Sequence, residues 1–141
     1  MKKFKRYGGI IVKVGDECLL CKRNEKGSLP GQWSIPAGGL NNGEHPLVGA
    51  KREFFEETNQ RIDGDVRLVG FVRRTNRDGK KDKGLLYVFK VDSDEKIIPD
   101  LGNAKDGDEH TECGYFNLEN NPIQDKTDQL YKLIEKILKK D

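Results

Sequence analysis

The chain has 141 residues, which suits one compact domain spanning residues 1–141 and leaves no room for a second catalytic one. Charged residues make up 35% and hydrophobic residues 34%, so the core must be small and built from short apolar runs. A net charge of +2 argues neither for nor against a nucleic-acid partner, and the basic residues have to be judged by location.

Tyr7–Val14 and Glu17–Lys22 are apolar and rich in β-formers, with Gly15-Asp16 between them as a turn signal, so a hairpin is predicted. Its second strand carries Cys18 and Cys21, and residues three apart on a strand face opposite sides. One further cysteine, Cys113, does not complete a zinc site. Three cysteines and no secretory leader predict buried, reduced thiols and a cytoplasmic setting. Asn24–Gly31 reads as a loop, with Gly27, Pro30 and Gly31 as breakers. Trp33–Ile35 reads as a short strand leading into Pro36-Ala37-Gly38-Gly39, and Asn41–Glu44 as a second loop. Pro46 suits the first turn of a helix, where its missing N–H is harmless. That helix runs to about Asn59, a residue that tolerates the left-handed conformation that ends helices.

Val66–Arg73 and Leu85–Val91 read as strands linked by Asn76–Gly84, Ile97–Asp108 as an irregular loop, and Glu112–Leu118 as a strand. Leu130, Leu133, Ile134, Ile137 and Leu138 form one stripe of an amphipathic helix, with Asp125 as its expected cap. No apolar run approaches the ~20 residues of a membrane span, so no membrane partner is expected. The element order lacks regular βαβ alternation and predicts an α+β domain, a mixed sheet with helices on its faces.

The chemistry concentrates on the first helix. Glu53, Glu56 and Glu57 stand at i, i+3 and i+4 and share one face. Each like-charge pair at this spacing costs roughly 0.2–0.5 kcal/mol on a bare helix, so something must offset the repulsion. Mg²⁺ binds a few carboxylates together with substrate phosphates, and a bound ion lowers the pKa of water. A neighbouring carboxylate can then remove that water's proton, which describes phosphoryl or nucleotidyl transfer to water. Arg52 can pair with Glu56 four residues on, and Leu47, Ala50 and Phe54 form a separate line that can dock on the sheet. Gly38-Gly39 lets the backbone approach a metal or phosphate, where a carbonyl near Ala37 or Gly38 adds one more oxygen.

The segment Gly38–Gln60 resembles the Nudix box, which runs Gly, five residues, Glu, seven residues, Arg-Glu, an apolar residue, any residue, Glu-Glu, any residue, Gly, an apolar residue. Gly38, Glu44, Arg52, Glu53, Phe54, Glu56 and Glu57 match in register. Six charged or Gly positions at roughly 7% usage each match by chance about once in 10⁷ starts, which sets coincidence aside. Asn59 stands where the box has its last Gly, and Gln60 where it has an apolar residue, with Ile62 nearby to fill that place. LLCKR, GQWSIPAGG and ECGYFNLENNPI extend the resemblance over most of the chain. It implies an α/β/α sandwich with a mixed β-sheet and two main helices. It also implies that Glu53, Glu56 and Glu57, with a backbone oxygen at Gly38 or its neighbour, hold Mg²⁺, or Mn²⁺ in its place. Arg52 would orient the carboxylates through a charge-assisted pair, and Glu44 would brace loop and helix. The general base would be one of these glutamates or one from a later loop.

Glu109 and Glu112 are the candidates for that later glutamate, and Arg23 for a contact with substrate phosphate; the plain alternative for each is surface charge. Arg73–Lys83 holds six cations, which suit a solvated hairpin tip or the steering of a polyphosphate or an RNA 5′ end. Trp33, Tyr7 and Tyr87 are candidates for base stacking, with Trp33 better suited to the core. His45 reads as local structure at the helix start. The function expected is Mg²⁺-dependent hydrolysis of a diphosphate linkage in a nucleoside diphosphate derivative. The partner would be a small nucleotide, with an RNA 5′ end as a further candidate. A nucleotide-sensing module without turnover is the competing reading. The oligomeric state is left open, a homodimer among the options.

Overall fold

The computed structural model describes residues 5–26, 30–74 and 84–139. Among these residues, seven strands and two helices follow one another along the chain. They are β1 (Lys5–Val14), β2 (Glu17–Arg23), β3 (Trp33–Ser34), β4 (Ala37–Gly39), α1 (Pro46–Thr58), β5 (Val66–Arg74), β6 (Gly84–Asp92), β7 (His110–Phe116) and α2 (Gln129–Lys139). A single 3₁₀ turn, Gly107–Glu109, leads into β7.

β1 and β6 run parallel along nine residue pairs, and every other pairing is antiparallel, so the sheet is mixed as expected. The predicted hairpin forms but pairs only next to its turn, at Lys13–Cys18 and Val14–Glu17. Beyond that point β1 and β2 part like a fork. β4 fills the β1 side, opposite Tyr7–Gly9, and β3 fills the β2 side. β4 lies within a stretch that the sequence presents only as a Pro-Gly entry loop; its three residues pair because β1 offers a free edge there.

Strand alternation distributes the core to two faces. Ile10, Val12, Leu19 and Cys21 turn toward α1, where Ala50 and Phe54 are fully buried. Ile11, Cys18 and Leu20 turn the other way, toward Leu130, Ile134 and Ile137 of α2. The result is the α/β/α sandwich. Burying the Phe54 side chain contributes about 1.5–3 kcal/mol to holding α1 in place. Ile62 is buried in the same cluster and fills the apolar place that Gln60 leaves open. Trp33 packs edge-on against Phe116, with ring centroids 5.1 Å apart, in keeping with the core reading.

Two expectations are corrected. Cys18 and Cys21 do face opposite sides, but Cys21 is disulfide-bonded to Cys113, 92 residues away. The two lie directly opposite each other in the β2–β7 register, with Cα atoms 4.0 Å apart. Cys18 is the thiol that stays free among the described residues, buried and with its pKa pushed up to about 12 by that burial. The bonded pair removes the thiol argument for a reducing compartment. Among the described residues, no helix is long and apolar enough to cross a membrane. Most of the Arg73–Lys83 run lies outside the described residues, as does Gly27.

The cap of α2 is the second correction. Asp128 Oδ1 accepts from Leu130 N at 2.7 Å, whereas Asp125 turns back on Thr127. Asp125 sits four residues before Gln129 and is too far upstream to reach the free amides of the first turn. Asp128→Ala is expected to cost about 1 kcal/mol of stability in urea denaturation, and Asp125→Ala distinctly less. Equal losses would return the cap to Asp125.

Candidate functional site

α1 starts where His45 Nδ1 accepts from Leu47 N at 3.1 Å, so His45 is local structure as expected. It ends at Asn59, whose φ of 59° and ψ of 22° are left-handed. Asn is, after Gly, the residue best suited to that conformation, so the departure at this position leaves the helix end intact. The loop before the 3₁₀ turn satisfies the open carbonyls at this end: Asp106 N donates to Glu56 O at 2.7 Å and Asp100 N to Thr58 O at 2.8 Å. Gln60 Nε2 adds a bond to Ile98 O.

The half-buried rim of α1 is organised by Arg52. Its Nε and Nη2 grip Glu44 Oε2 and Oε1 at 2.9 and 3.0 Å. Nη1 donates to Glu53 Oε1 and to Glu56 Oε1, both at 3.0 Å. Nη2 also reaches the carbonyl of Gly39. Glu44 accepts from Asn41 N at 2.8 Å as well, which closes its loop, and Arg6 donates to the Glu44 carbonyl from β1. The hydrogen bond from Arg52, then that from Asn41, lowers the Glu44 carboxyl to about 2. Gly49 belongs to this arrangement, although nothing in the sequence reading singled it out. A Cβ there would stand 2.3 Å from Leu40 Cδ2 and 2.7 Å from Glu44 Oε1. A glycine inside a helix, at about 1 kcal/mol cost relative to Ala, was the available signal.

Glu53 and Glu57 point inward from the same face. The Glu53 carboxylate lies so close to Gly38 that a Cβ there would come within 2.0 Å of Glu53 Oε2. Only glycine lets β4 and α1 meet at this point. Glu57 is 1% exposed, and among the described residues neither of its carboxylate oxygens has a hydrogen-bond partner. Burial, then the charges of Glu109 and Glu53, push its pKa up to about 9. Arg23 and the Ala37 backbone pull weakly the other way, the latter without completing a hydrogen bond. Burial also raises the Glu53 and Glu109 carboxyls.

β7 brings the later residues in. Glu109 ends the 3₁₀ turn, with its carboxylate 3.8 Å from Arg23 Nη2, and its carbonyl accepts from Asn24 N. A bulge follows, because Lys22 pairs with Glu112 and Arg23 with His110, leaving Thr111 over. The extra residue turns His110 to the α1 face, where its Nε2 lies 3.6 Å from Glu57 Oε1. Burial, then Arg23, lowers the His110 imidazole to about 4, so it is neutral at physiological pH. Glu112 is exposed opposite Lys22 and belongs to the other side of the strand from Cys113 and Tyr115, so it does not join the cluster. Arg23, Glu44, Arg52, Glu53, Glu56, Glu57 and Glu109 are thus brought together around Gly38, with His110 as the member that sequence reasoning missed.

Carboxylate oxygens are the donors that Mg²⁺ and Mn²⁺ take. The orphaned oxygens of Glu57 and the close approach of Glu53 to Gly38 fit such an ion. Arg52 occupies one oxygen each of Glu53 and Glu56 and leaves Glu53 Oε2 and Glu56 Oε2 for other partners, with Lys105 Nζ 3.8 Å from the latter. Among the described residues, no three His, Cys, Asp or Glu groups are already gathered at metal-binding distance. The carboxylates share a face without yet converging on a point.

The NUDIX domain is the family description that matches, over residues 3–137. An RNA pyrophosphohydrolase of Bartonella bacilliformis is 29% identical over 100 residues, covering 62% of this chain and 58% of that relative. The matched region therefore spans little more than half the relative's length. Among solved structures, the MutT protein from Methanosarcina mazei Go1 is similar with a TM-score of 0.74 and 20% identity, covering 99% of this chain and 98% of its own. A MutT NUDIX hydrolase from Burkholderia pseudomallei gives 0.76 and 18%, covering 96% and 99%. At these identities the likeness is one of fold.

The Glu44–Arg52 grip carries a pH signature. The folded pKa of about 2 lies below the ordinary glutamate value of 4.5, so the stabilisation is complete above pH 4.5 and is lost as pH falls toward 2. Glu44→Gln is expected to cost about 1–3 kcal/mol at pH 7. Its difference from wild type should shrink across pH 4.5 to 2 in acid denaturation; a difference independent of pH over that window would contradict the assignment.

Proposed function

The chain belongs to the NUDIX family, and from that premise we propose that it hydrolyses a diphosphate linkage in a nucleotide derivative with the help of Mg²⁺ or Mn²⁺. The single observation that carries this reading is Glu57, a buried carboxylate with two unpartnered oxygens beside Glu53 and Gly38. An isolated buried carboxylate is costly, and a cation is the natural compensation.

In this reading Glu53, Glu56 and Glu57 hold the ion. The ladder pattern favours one backbone oxygen to join them. Leu40 N donates to Arg6 O and Ile10 N to Pro36 O, so Gly38 falls in a hydrogen-bonded pair with Gly8. Its carbonyl is engaged in the sheet, while Ala37 lies in the alternate pair with its carbonyl directed away from β1. Ala37 is therefore the better oxygen donor, and Gly38 provides clearance for Glu53. When bound, the ion neutralises phosphate oxygens and acidifies a water. Arg52 keeps Glu53 and Glu56 oriented through their Oε1 atoms. Glu109 lies beside the cluster with its carboxylate 3.8 Å from Arg23, and burial raises its carboxyl, the direction that favours taking up a proton. Arg23, with its Nη2 at that distance from Glu109, is the candidate to meet a substrate phosphate. The name of the Bartonella relative favours an RNA 5′ end as one substrate to test.

The test is turnover of nucleoside triphosphates, ADP-ribose, dinucleoside polyphosphates and 5′-triphosphorylated RNA, with Mg²⁺ and with Mn²⁺, read by chromatography of the nucleotide or RNA products together with any phosphate or pyrophosphate released. Wild type should turn over at least one substrate, and Glu57→Gln should lower that rate by about 10²-fold or more. Turnover indifferent to Glu57→Gln would sink the proposed metal site. Tight binding of one nucleotide without any turnover would make the chain a sensing module.

A second prediction concerns the ion alone. Without metal, Glu57 holds its proton up to about pH 9, and an ion must displace that proton. Mn²⁺ affinity should therefore rise steadily from pH 6 to 9, with proton release seen in calorimetry, and the rise should be lost in Glu57→Gln. A flat profile in wild type would rule out Glu57 as a ligand.

A further inference from the structure

His110 opens β7, and its side chain is 2% exposed. Imidazole nitrogens buried this deeply are normally hydrogen-bonded, yet Nδ1 has no partner among the described residues. Nε2 stands 3.6 Å from Glu57 Oε1, about half an ångström outside hydrogen-bond range. A small rotation of either side chain closes that gap.

The backbone is irregular at the place that produces this contact. With regular alternation from Cys113, which faces α1, Thr111 would face α1 and His110 the opposite side. The bulge between Lys22–Glu112 and Arg23–His110 reverses that order and sets a neutral imidazole against an otherwise unpartnered carboxylate. Bulges re-aim side chains in this way.

We infer that His110 is a positioning residue: its Nε2–H donates to Glu57 Oε1 and fixes the carboxylate so that its other oxygen serves the ion. This rests on the reading of Glu57 as a ligand. Ligating carboxylates are themselves hydrogen-bonded, and loss of such an outer partner typically weakens metal affinity about 10–100-fold.

The experiment is Mn²⁺ titration of the full chain, followed by the resonance of free Mn²⁺, with thermal unfolding in EDTA as the measure of folding. His110→Phe should fold in EDTA and bind Mn²⁺ at least about tenfold more weakly than wild type. His110→Gln keeps a donor near the Nε2 position and should bind like wild type. Should His110→Phe lose its unfolding transition, His110→Asn takes its place, since its amide stops one bond short and should bind about tenfold more weakly than His110→Gln. Wild-type affinity in His110→Phe, or equal affinity in the Gln and Asn variants, would overturn the role of His110 and leave that of Glu57 standing. A wild type that binds no Mn²⁺ would remove both.

Discussion

All five N–H groups of Arg52 are engaged: two by Glu44, one each by Glu53 and Glu56, and one by the Gly39 carbonyl. Loop, strand β4 and helix α1 are joined through this one guanidinium. The magnitudes show why it prevails. Like-charge pairs on a helix cost roughly 0.2–0.5 kcal/mol each, whereas a hydrogen bond to a charged group is worth about 1.5–3 kcal/mol. A rim of glutamates that would otherwise loosen α1 instead becomes a fixed surface. Lysine in this place would keep the charge and lose the fork, because an ammonium cannot serve Glu44 twice in one plane.

The same saturation has a consequence further along the helix. A guanidinium with no donor left gives nothing to Glu57, one helical turn beyond Glu53. Burial and repulsion from Glu109 and Glu53 disfavour the Glu57 charge and outweigh the opposing pull of Arg23 and the Ala37 backbone. Arg52 is spent at the rim, and the deficit sits at the deepest carboxylate. In the proposed reading, a cation from solution would meet the strongest local demand there. This is why the site is read from Glu57 rather than from Glu56, which Arg52 already serves and which also has Lys105 near it.

Features set by short-range spacing were legible in the sequence. The shared face of Glu53, Glu56 and Glu57, the docking line of Leu47, Ala50 and Phe54, and the left-handed end at Asn59 all follow from helical periodicity. The opposite-facing Cys18 and Cys21 follow from strand periodicity in the same way. Features set by long-range register were not legible. Cys113 meets Cys21 because β7 pairs with β2 at one particular offset, and no local pattern encodes that offset. His110 faces Glu57 because one residue, Thr111, is left over within that pairing. Strand alternation read locally would place it on the opposite face. The exclusion of Glu112 has the same cause. The sequence reading named Asp125 alone as the cap, since any Asp just before the apolar stripe could serve, and only the start of α2 at Gln129 assigns the role to Asp128.

The early parting of β1 from β2 ties these observations together. A hairpin paired along its full length would fill the hydrogen-bonding edge of β1 and leave no place for β4. Pairing stops after Lys13 and Cys18, so Ala37–Gly39 can lie against β1 directly beneath α1. Gly38 then meets Glu53, and the polar groups of Ala37 face the opening of the fork instead of β1. β2 gives its other edge to β7 and so receives Glu109 and His110. Gly38 thus reaches Glu53 through the interruption, while Glu109 and His110 arrive from the opposite edge of β2. A fold that satisfied every strand edge locally would be the simpler sheet, but it would leave β4 no place against β1.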